Sequence, residues 1–126
     1  MIESCAAAAL LAATLAIVVS LLTAVARQRN AAGLHAQAVI AADNLLERIT
    51  SEPYESITAP RAAELKSASN IDEMLPDGEV EIKVSDASGS PPGKRIEVEI
   101  AWRTTGAQPL SHHHIATWVY RAEEMR

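Results

Sequence analysis

The sequence contains no phenylalanine, and its aromatic side chains are limited to two tryptophans and two tyrosines. Large aromatic side chains supply much of the buried area of a small core, so a domain this poor in them has a thin core and relies on partners. The single cysteine, Cys5, excludes a disulfide bond within the chain. A chain of 126 residues has room for one small domain beside any membrane segment.

Positive charge is also scarce, because 11 lysines and arginines stand against 16 aspartates and glutamates, for a net charge of −5. The basic residues are scattered, whereas surfaces that neutralise phosphates need them clustered, so no nucleic-acid partner is expected. The sequence also lacks a Ser/His/Asp order, a glycine-rich phosphate loop and a paired-cysteine motif. It therefore predicts no enzymatic activity, no metal site and no cofactor.

The first 26 residues, MIESCAAAALLAATLAIVVSLLTAVA, are apolar except for Glu3. The 23 residues from Ser4 to Ala26 carry no charge and would span about 34 Å as a helix, enough to cross a hydrocarbon core of about 30 Å. A secretory signal peptide has a basic start and a shorter apolar region. Residues 1–26 are therefore predicted to be an uncleaved transmembrane helix.

Glu3 carries the one charge at the start of this span. An ionised group at that depth costs a few kcal/mol unless it is paired or reaches the interface, so Glu3 is either an interfacial charge or one half of a specific pair. At the other end, Arg27 and Arg29 follow the span, and by the positive-inside rule they would place the C-terminal part in the cytoplasm. This conflicts with the extracytoplasmic position predicted below for residues 53–126.

Apolar residues continue at spacings of three and four beyond the span, at Leu34, Ala38, Ala41, Leu45 and Ile49. This period predicts an amphipathic helix over residues 27–52 that is joined to the transmembrane helix without a turn. Its end is expected before Pro53, since proline disfavours helical angles in the residue that precedes it.

Residues 53–126 are predicted to form a small extracytoplasmic head. A short helix is expected from about Arg61 to Ser69, followed by runs in which apolar and polar residues alternate, over 80–84, 96–103 and 115–121. The fold class is therefore α+β, with a long N-terminal helix on a small antiparallel sheet of three to four strands. The apolar side of the sheet should cover the stripe of Leu34, Leu45 and Ile49.

Two short motifs have a functional and a plain interpretation. The run His112 to His114 could bind a metal ion, but neighbouring residues of an extended chain point to opposite sides, so a solvated turn before the last strand is favoured. The segment Ser90-Pro91-Pro92-Gly93 could dock a partner as a polyproline helix, but two prolines at a hairpin tip are far more often a turn.

Three features together resemble the type IV pilin-like proteins, and among them the I-type and V-type minor pseudopilins of type II secretion systems. The first is Met1-Ile2-Glu3 before an apolar helix rich in alanine and leucine, and the second is the stretch from Ala36-Gln37-Ala38 to Ala42-Asp43-Asn44-Leu45-Leu46-Glu47-Arg48. The third is a long helix followed by a small antiparallel sheet. The resemblance is strong over residues 1–52 and only architectural beyond them.

This resemblance implies a filament subunit held in the inner membrane by one span, with its head in the periplasm and a methylated N-terminus. Glu3 would pair with the terminal amine of a neighbouring subunit and set axial register, while small residues that include Ala9, Ala13 and Ala16 let neighbouring helices approach closely. The predicted helix-packing residues are these three alanines together with Leu34, Leu45 and Ile49, which pack on the sheet. The implied partners are other pilin-like subunits, an inner-membrane assembly platform and a prepilin peptidase.

The family's basic leader, its cleavage-site glycine and its first two mature residues are expected upstream of Met1. A basic leader there would hold the N-terminus inside and remove the conflict posed by Arg27 and Arg29. An alternative from another class remains open, namely a single-span anchor whose extracytoplasmic domain binds a partner without polymerising. The sequence does not distinguish secretion, pilus and DNA-uptake systems.

Overall fold

The computed structural model describes residues 1–104 and 110–122. The chain forms two compact units, Met1–Gly33 and Leu34–Arg126. The first helix, α1, spans Ile2–Thr50, and the remaining elements belong to the second unit. They are a 3-10 turn at Tyr54–Ser56, the helices α2 (Ala59–Ser67) and α3 (Ile71–Met74), and the strands β1 (Glu79–Ala87), β2 (Gly93–Trp102) and β3 (Ser111–Tyr120).

The end of α1 follows from Pro53, as the sequence predicts. The last helical residue is Thr50, and the amide of Ser51 still donates to the carbonyl of Glu47. Pro53 then has an extended backbone, with φ of −55° and ψ of 143°, and it has no N–H to continue the helical pattern. The chain therefore leaves the helix here and turns towards the sheet.

Thr58 and Pro60 define the start of α2. The hydroxyl oxygen of Thr58 accepts a hydrogen bond from the amide of Arg61, and Pro60 occupies the first turn, where an N–H has no partner within the helix. The guanidinium of Arg61 donates to Glu52 and Glu64, at 2.8 Å each. The hydrogen bond to Glu52, followed by that to Glu64, raises the pKa of Arg61.

The three strands form one antiparallel sheet in the order β1-β2-β3. At its centre, Val98 of β2 lies opposite Ile82 of β1 and Ile115 of β3. Side chains alternate between the two faces of a strand, so these three residues lie on one face, towards the core. We call this the inner face of the sheet, and the opposite side the outer face.

The core lies between the inner face and the last turns of α1. Ile96, Val98 and Ile100 of β2 are completely buried. They belong to one cluster with the buried residues of α1, which are Ala38, Ala41, Ala42, Leu45 and Ile49. The α+β architecture predicted from the sequence, a long helix packed on a small antiparallel sheet, is therefore confirmed.

Lys94 joins the sheet to the connector that follows α1. It shares the inner face of β2 with Ile96, and its ammonium donates to the carbonyl oxygens of Tyr54 at 3.0 Å and Ile57 at 2.7 Å. The same ammonium lies 4.7 Å from the centre of the Tyr54 ring. A charged group thus satisfies two backbone acceptors at the rim of the core.

The histidine run does not form a turn, so that expectation is wrong. His112, His113 and His114 belong to β3, where they lie opposite Ala101, Ile100 and Glu99 of β2. Pairing with β2 extends the last strand back to Ser111. The alternation of side chains then places His113 on the inner face and His112 and His114 on the outer face.

Candidate functional site: assembly surfaces

The apolar half of α1 is uncovered along its whole length. Every residue from Met1 to Asn30 is exposed, and the exposed side chains include Leu10, Leu11 and Leu15. Burying a leucine or valine side chain is favourable by about 1.5–3 kcal/mol, so exposing many of them to water carries a large free-energy cost. Lipid or other protein must cover this segment.

Three hydroxyl groups in this apolar half are satisfied by the helix itself. Thr14 donates to the carbonyl of Leu11 at 2.9 Å, Ser20 to that of Ala16 at 2.9 Å, and Thr23 to that of Val19 at 2.8 Å. Hydroxyls bonded back to the helix need no water, which suits a hydrocarbon environment. Within the described ranges, α1 is one helix long and apolar enough to cross a membrane.

Glu3 lies in the first turn of α1, where the positive end of the helix dipole favours a carboxylate. It is exposed and forms no ion pair with any residue that the structure describes. Ala9, Ala13 and Ala16 are exposed as well. Successive members are four and three positions apart, so the three small side chains lie along one side of the helix. The structure thus leaves both features available to a second molecule.

The predicted packing residues of the second half of α1 have a different environment. Leu45 and Ile49 are 2% exposed and lie in the core, and Leu34 packs against the core while remaining partly exposed. These three side chains therefore contribute to the packing of the head.

The outer face of the sheet is charged over β1 and β2. Lys83 lies 3.5 Å from Glu81, and Arg95 lies 2.5 Å from Glu97. Glu99 meets His112 at 3.2 Å. Such exposed pairs contribute little to stability, so this face is a solvated surface with an excess of carboxylates.

At its other end the outer face is aromatic. Trp118 and Tyr120 are about half exposed, and the Arg95 guanidinium lies 5.5 Å from the centre of the Trp118 ring. The Tyr120 ring lies over Gly93, where a β-carbon would come within 2.9 Å of two ring atoms. These rings and the β1–β2 loop line an open groove of about 770 Å³. The sequence gives the alternation of β3, but only its pairing with β2 shows that these rings face outward.

The four histidines do not converge on one site. His113 and His35 make an edge-to-face ring contact at 5.7 Å, and His35 also lies 5.8 Å from Trp102. Among residues 1–104 and 110–122, no group of three or more His, Cys, Asp or Glu side chains could hold a metal ion. The structure thus brings His35 and His113 together, a contact that the sequence spacing does not reveal.

The sequence matches no protein-family model, and no curated protein or solved structure is significantly similar to the chain. Assignment of function therefore depends on the surfaces described above. They are an uncovered apolar helix with one carboxylate in its first turn, and a small head whose outer face is acidic at one end and aromatic at the other.

Proposed function

We propose that the protein is a structural subunit of a type IV pilus-like or type II secretion pseudopilus filament, and within it a minor pseudopilin without catalysis of its own. One observation carries this proposal. A single helix is uncovered and apolar over its first part, yet its last turns supply five buried residues to the core of a folded head. Such a helix can reside in a membrane and later pack against the corresponding helices of other subunits.

Glu3 supplies the register of assembly. Inside a bundle of apolar helices the dielectric constant is low, so an unmatched charge is costly and a matched pair is much less so. Pairing of the Glu3 carboxylate with the terminal amine of a neighbouring subunit therefore selects one axial position. Alanines at positions 9, 13 and 16 allow helix backbones to approach closely, as small residues do between membrane helices.

The subunit would reside in the inner membrane as a single-span protein with its head in the periplasm. Its partners would be other pilin-like subunits, an assembly platform in the same membrane and a prepilin peptidase. These assignments rest on the resemblance of residues 1–52 to the family, and on the presence of one helix suited to a membrane.

The test compares Glu3→Gln and Glu3→Ala with Ser4→Ala, in the full chain expressed from its own gene with the natural upstream sequence. The measurement is the fraction of the protein recovered with other pilin-like subunits after cross-linking in cells. Loss of a pair worth more than 1.4 kcal/mol should lower the association constant at least tenfold, because that free energy corresponds to a factor of ten, and the recovered fraction should fall with it. Ser4→Ala should leave it unchanged.

Unchanged co-assembly of both Glu3 variants would refute the filament proposal, provided that the variants reach the membrane at wild-type levels. That result would favour the alternative, a membrane-anchored extracytoplasmic domain that binds a partner and does not polymerise.

A further inference from the structure

The two edges of the sheet are protected to different degrees. Beside β1 lie α2 and α3, and the strand carries the charged residues Glu79, Glu81, Lys83 and Asp86. At the other edge, β3 has ten residues without a single Asp, Glu, Lys, Arg, Pro or Gly. Natural sheets usually protect a free edge with charges, proline, bulges or a covering element, since unpaired backbone groups there invite another strand. The sequence of β3 contains neither the charged residues nor the proline that protect such an edge.

The direction of the free backbone groups follows from one hydrogen bond. The amide of Arg121 donates to the carbonyl of Pro92, its partner in the β2–β3 register. Residues of an antiparallel pair alternate between bonding to the partner strand and facing away from it. The odd-numbered residues of β3 therefore bond to β2, and the even-numbered residues direct their N–H and C=O groups outward.

These outward groups form a regular row of donors and acceptors, contributed by His112, His114, Ala116, Trp118 and Tyr120. In the described part of the chain, none of them makes a further backbone hydrogen bond. Two apolar side chains next to this edge, Ile115 and Val119, are only partly buried, whereas Ile96 and Val98 on the inner face of β2 are completely buried. An additional strand would form hydrogen bonds with these donors and acceptors and would cover the side chains of Ile115 and Val119.

Charge indicates which kind of strand fits. Among the described residues, Glu99 of β2 forms no ion pair with a lysine or arginine, and its carboxylate lies 3.2 Å from Nδ1 of His112. Strands lie about 4.8 Å apart, so a lysine or arginine beside β3 can reach across it towards Glu99. A second copy of the uncharged β3 would bring no such cation. β-branched residues on the other side of the added strand would contact Ile115 and Val119.

We propose that the β3 edge binds an extended segment of another protein chain, basic on the side that joins the outer face and β-branched on the side that joins the inner face. Main-chain hydrogen bonds supply affinity and the alternating side chains supply selectivity, as in other cases of strand addition. The proposal does not depend on filament assembly, since an anchored binding domain could use the same edge.

The test uses the full chain in nanodiscs of zwitterionic phosphatidylcholine, with empty nanodiscs as the blank. The probe is a capped ten-residue peptide in which lysine alternates with valine, labelled for fluorescence anisotropy. Ala116→Pro removes one outward N–H at the centre of the edge and takes no hydrogen bond from the β2–β3 ladder. Ala116→Val keeps that N–H and serves as the matched control.

Relative to the wild-type chain, peptide binding should weaken at least tenfold in Ala116→Pro and stay within twofold in Ala116→Val, with the far-UV circular dichroism of the chain unchanged in both. The same peptide N-methylated at alternate residues should bind at least tenfold more weakly. A peptide with glutamate in place of lysine should also bind at least tenfold more weakly.

Equal binding to Ala116→Pro and the wild type, or no binding up to about 1 mM peptide, would overturn the proposal. Equal binding of the lysine and glutamate peptides would overturn the basic character of the partner. A dimer of the chain that forms without peptide and dissociates in Ala116→Pro would show that a second copy occupies the edge. Each of these results leaves the Glu3 experiment unaffected, so the two proposals fail separately.

Discussion

Replacement of Lys94 by methionine should destabilise the head strongly, although the residue is a lysine and only half-buried. Methionine keeps the apolar stem of the side chain but removes the ammonium. The carbonyl oxygens of Tyr54 and Ile57 then lose donors at 3.0 Å and 2.7 Å, and the Tyr54 ring loses a cation at 4.7 Å.

The magnitude follows from these contacts. A hydrogen bond to a charged group contributes about 1.5–3 kcal/mol, and a partly exposed cation–π contact about 0.5–1 kcal/mol. Because both hydrogen bonds share one ammonium and water can reach part of the site, the contributions do not add fully. We expect Lys94→Met to lower the free energy of unfolding by about 2–4 kcal/mol.

The assay is urea unfolding of the full chain in detergent micelles, followed by tryptophan emission. Its change comes mainly from Trp102, which is 1% exposed in the folded state, since Trp118 is already half exposed. Lys83→Met is the matched control, because Lys83 lies exposed on the outer face with Glu81 at 3.5 Å and should lose less than about 1 kcal/mol. Equal losses in the two variants, or a loss below about 0.5 kcal/mol in Lys94→Met, would show that the connector does not depend on the ammonium.

Two further substitutions test the packing by the same assay. Ile49→Ala leaves a cavity at a site that is 2% exposed and should lower the free energy of unfolding by about 2–5 kcal/mol. Ile40→Ala, on an exposed side of α1, should lower it by less than about 1 kcal/mol. Similar losses in the two variants would show that Ile49 does not lie in the core. Gly93→Ala should fail to stabilise the wild type, because the Tyr120 ring lies 2.9 Å from the new β-carbon. In a Tyr120→Ala background the same change should stabilise by about 0.5 kcal/mol, and an equal effect in both backgrounds would contradict the contact.

The sequence predicts those elements whose signal is local. The spacing of Leu45 and Ile49 identifies the buried side of α1, Pro53 fixes its end, and the alternation of Val98 with its neighbours identifies a strand. Each of these features arises from one segment and its own geometry, so no knowledge of distant contacts is needed.

Features that depend on pairing were missed. The histidine run joins β3 because β2 offers it partners, although histidine favours neither a strand nor a turn strongly enough to show this in the sequence. Lys94 interrupts the apolar pattern of β2, and only the position of the Tyr54–Ser56 turn shows why a lysine lies on the inner face. The outward position of Trp118 likewise depends on the register with β2.

The buried stripe of α1 consists largely of alanine, at positions 38, 41 and 42, and this has a mechanical consequence for the head. Leu45 and Ile49 complete the stripe, and all five residues share one buried cluster with Ile96, Val98 and Ile100 of β2, so close packing leaves helix and sheet little freedom to slide or tilt. A force applied to the last turns of α1 is therefore transmitted to β2 directly. From Leu34 onward, helix and sheet should move as one rigid piece.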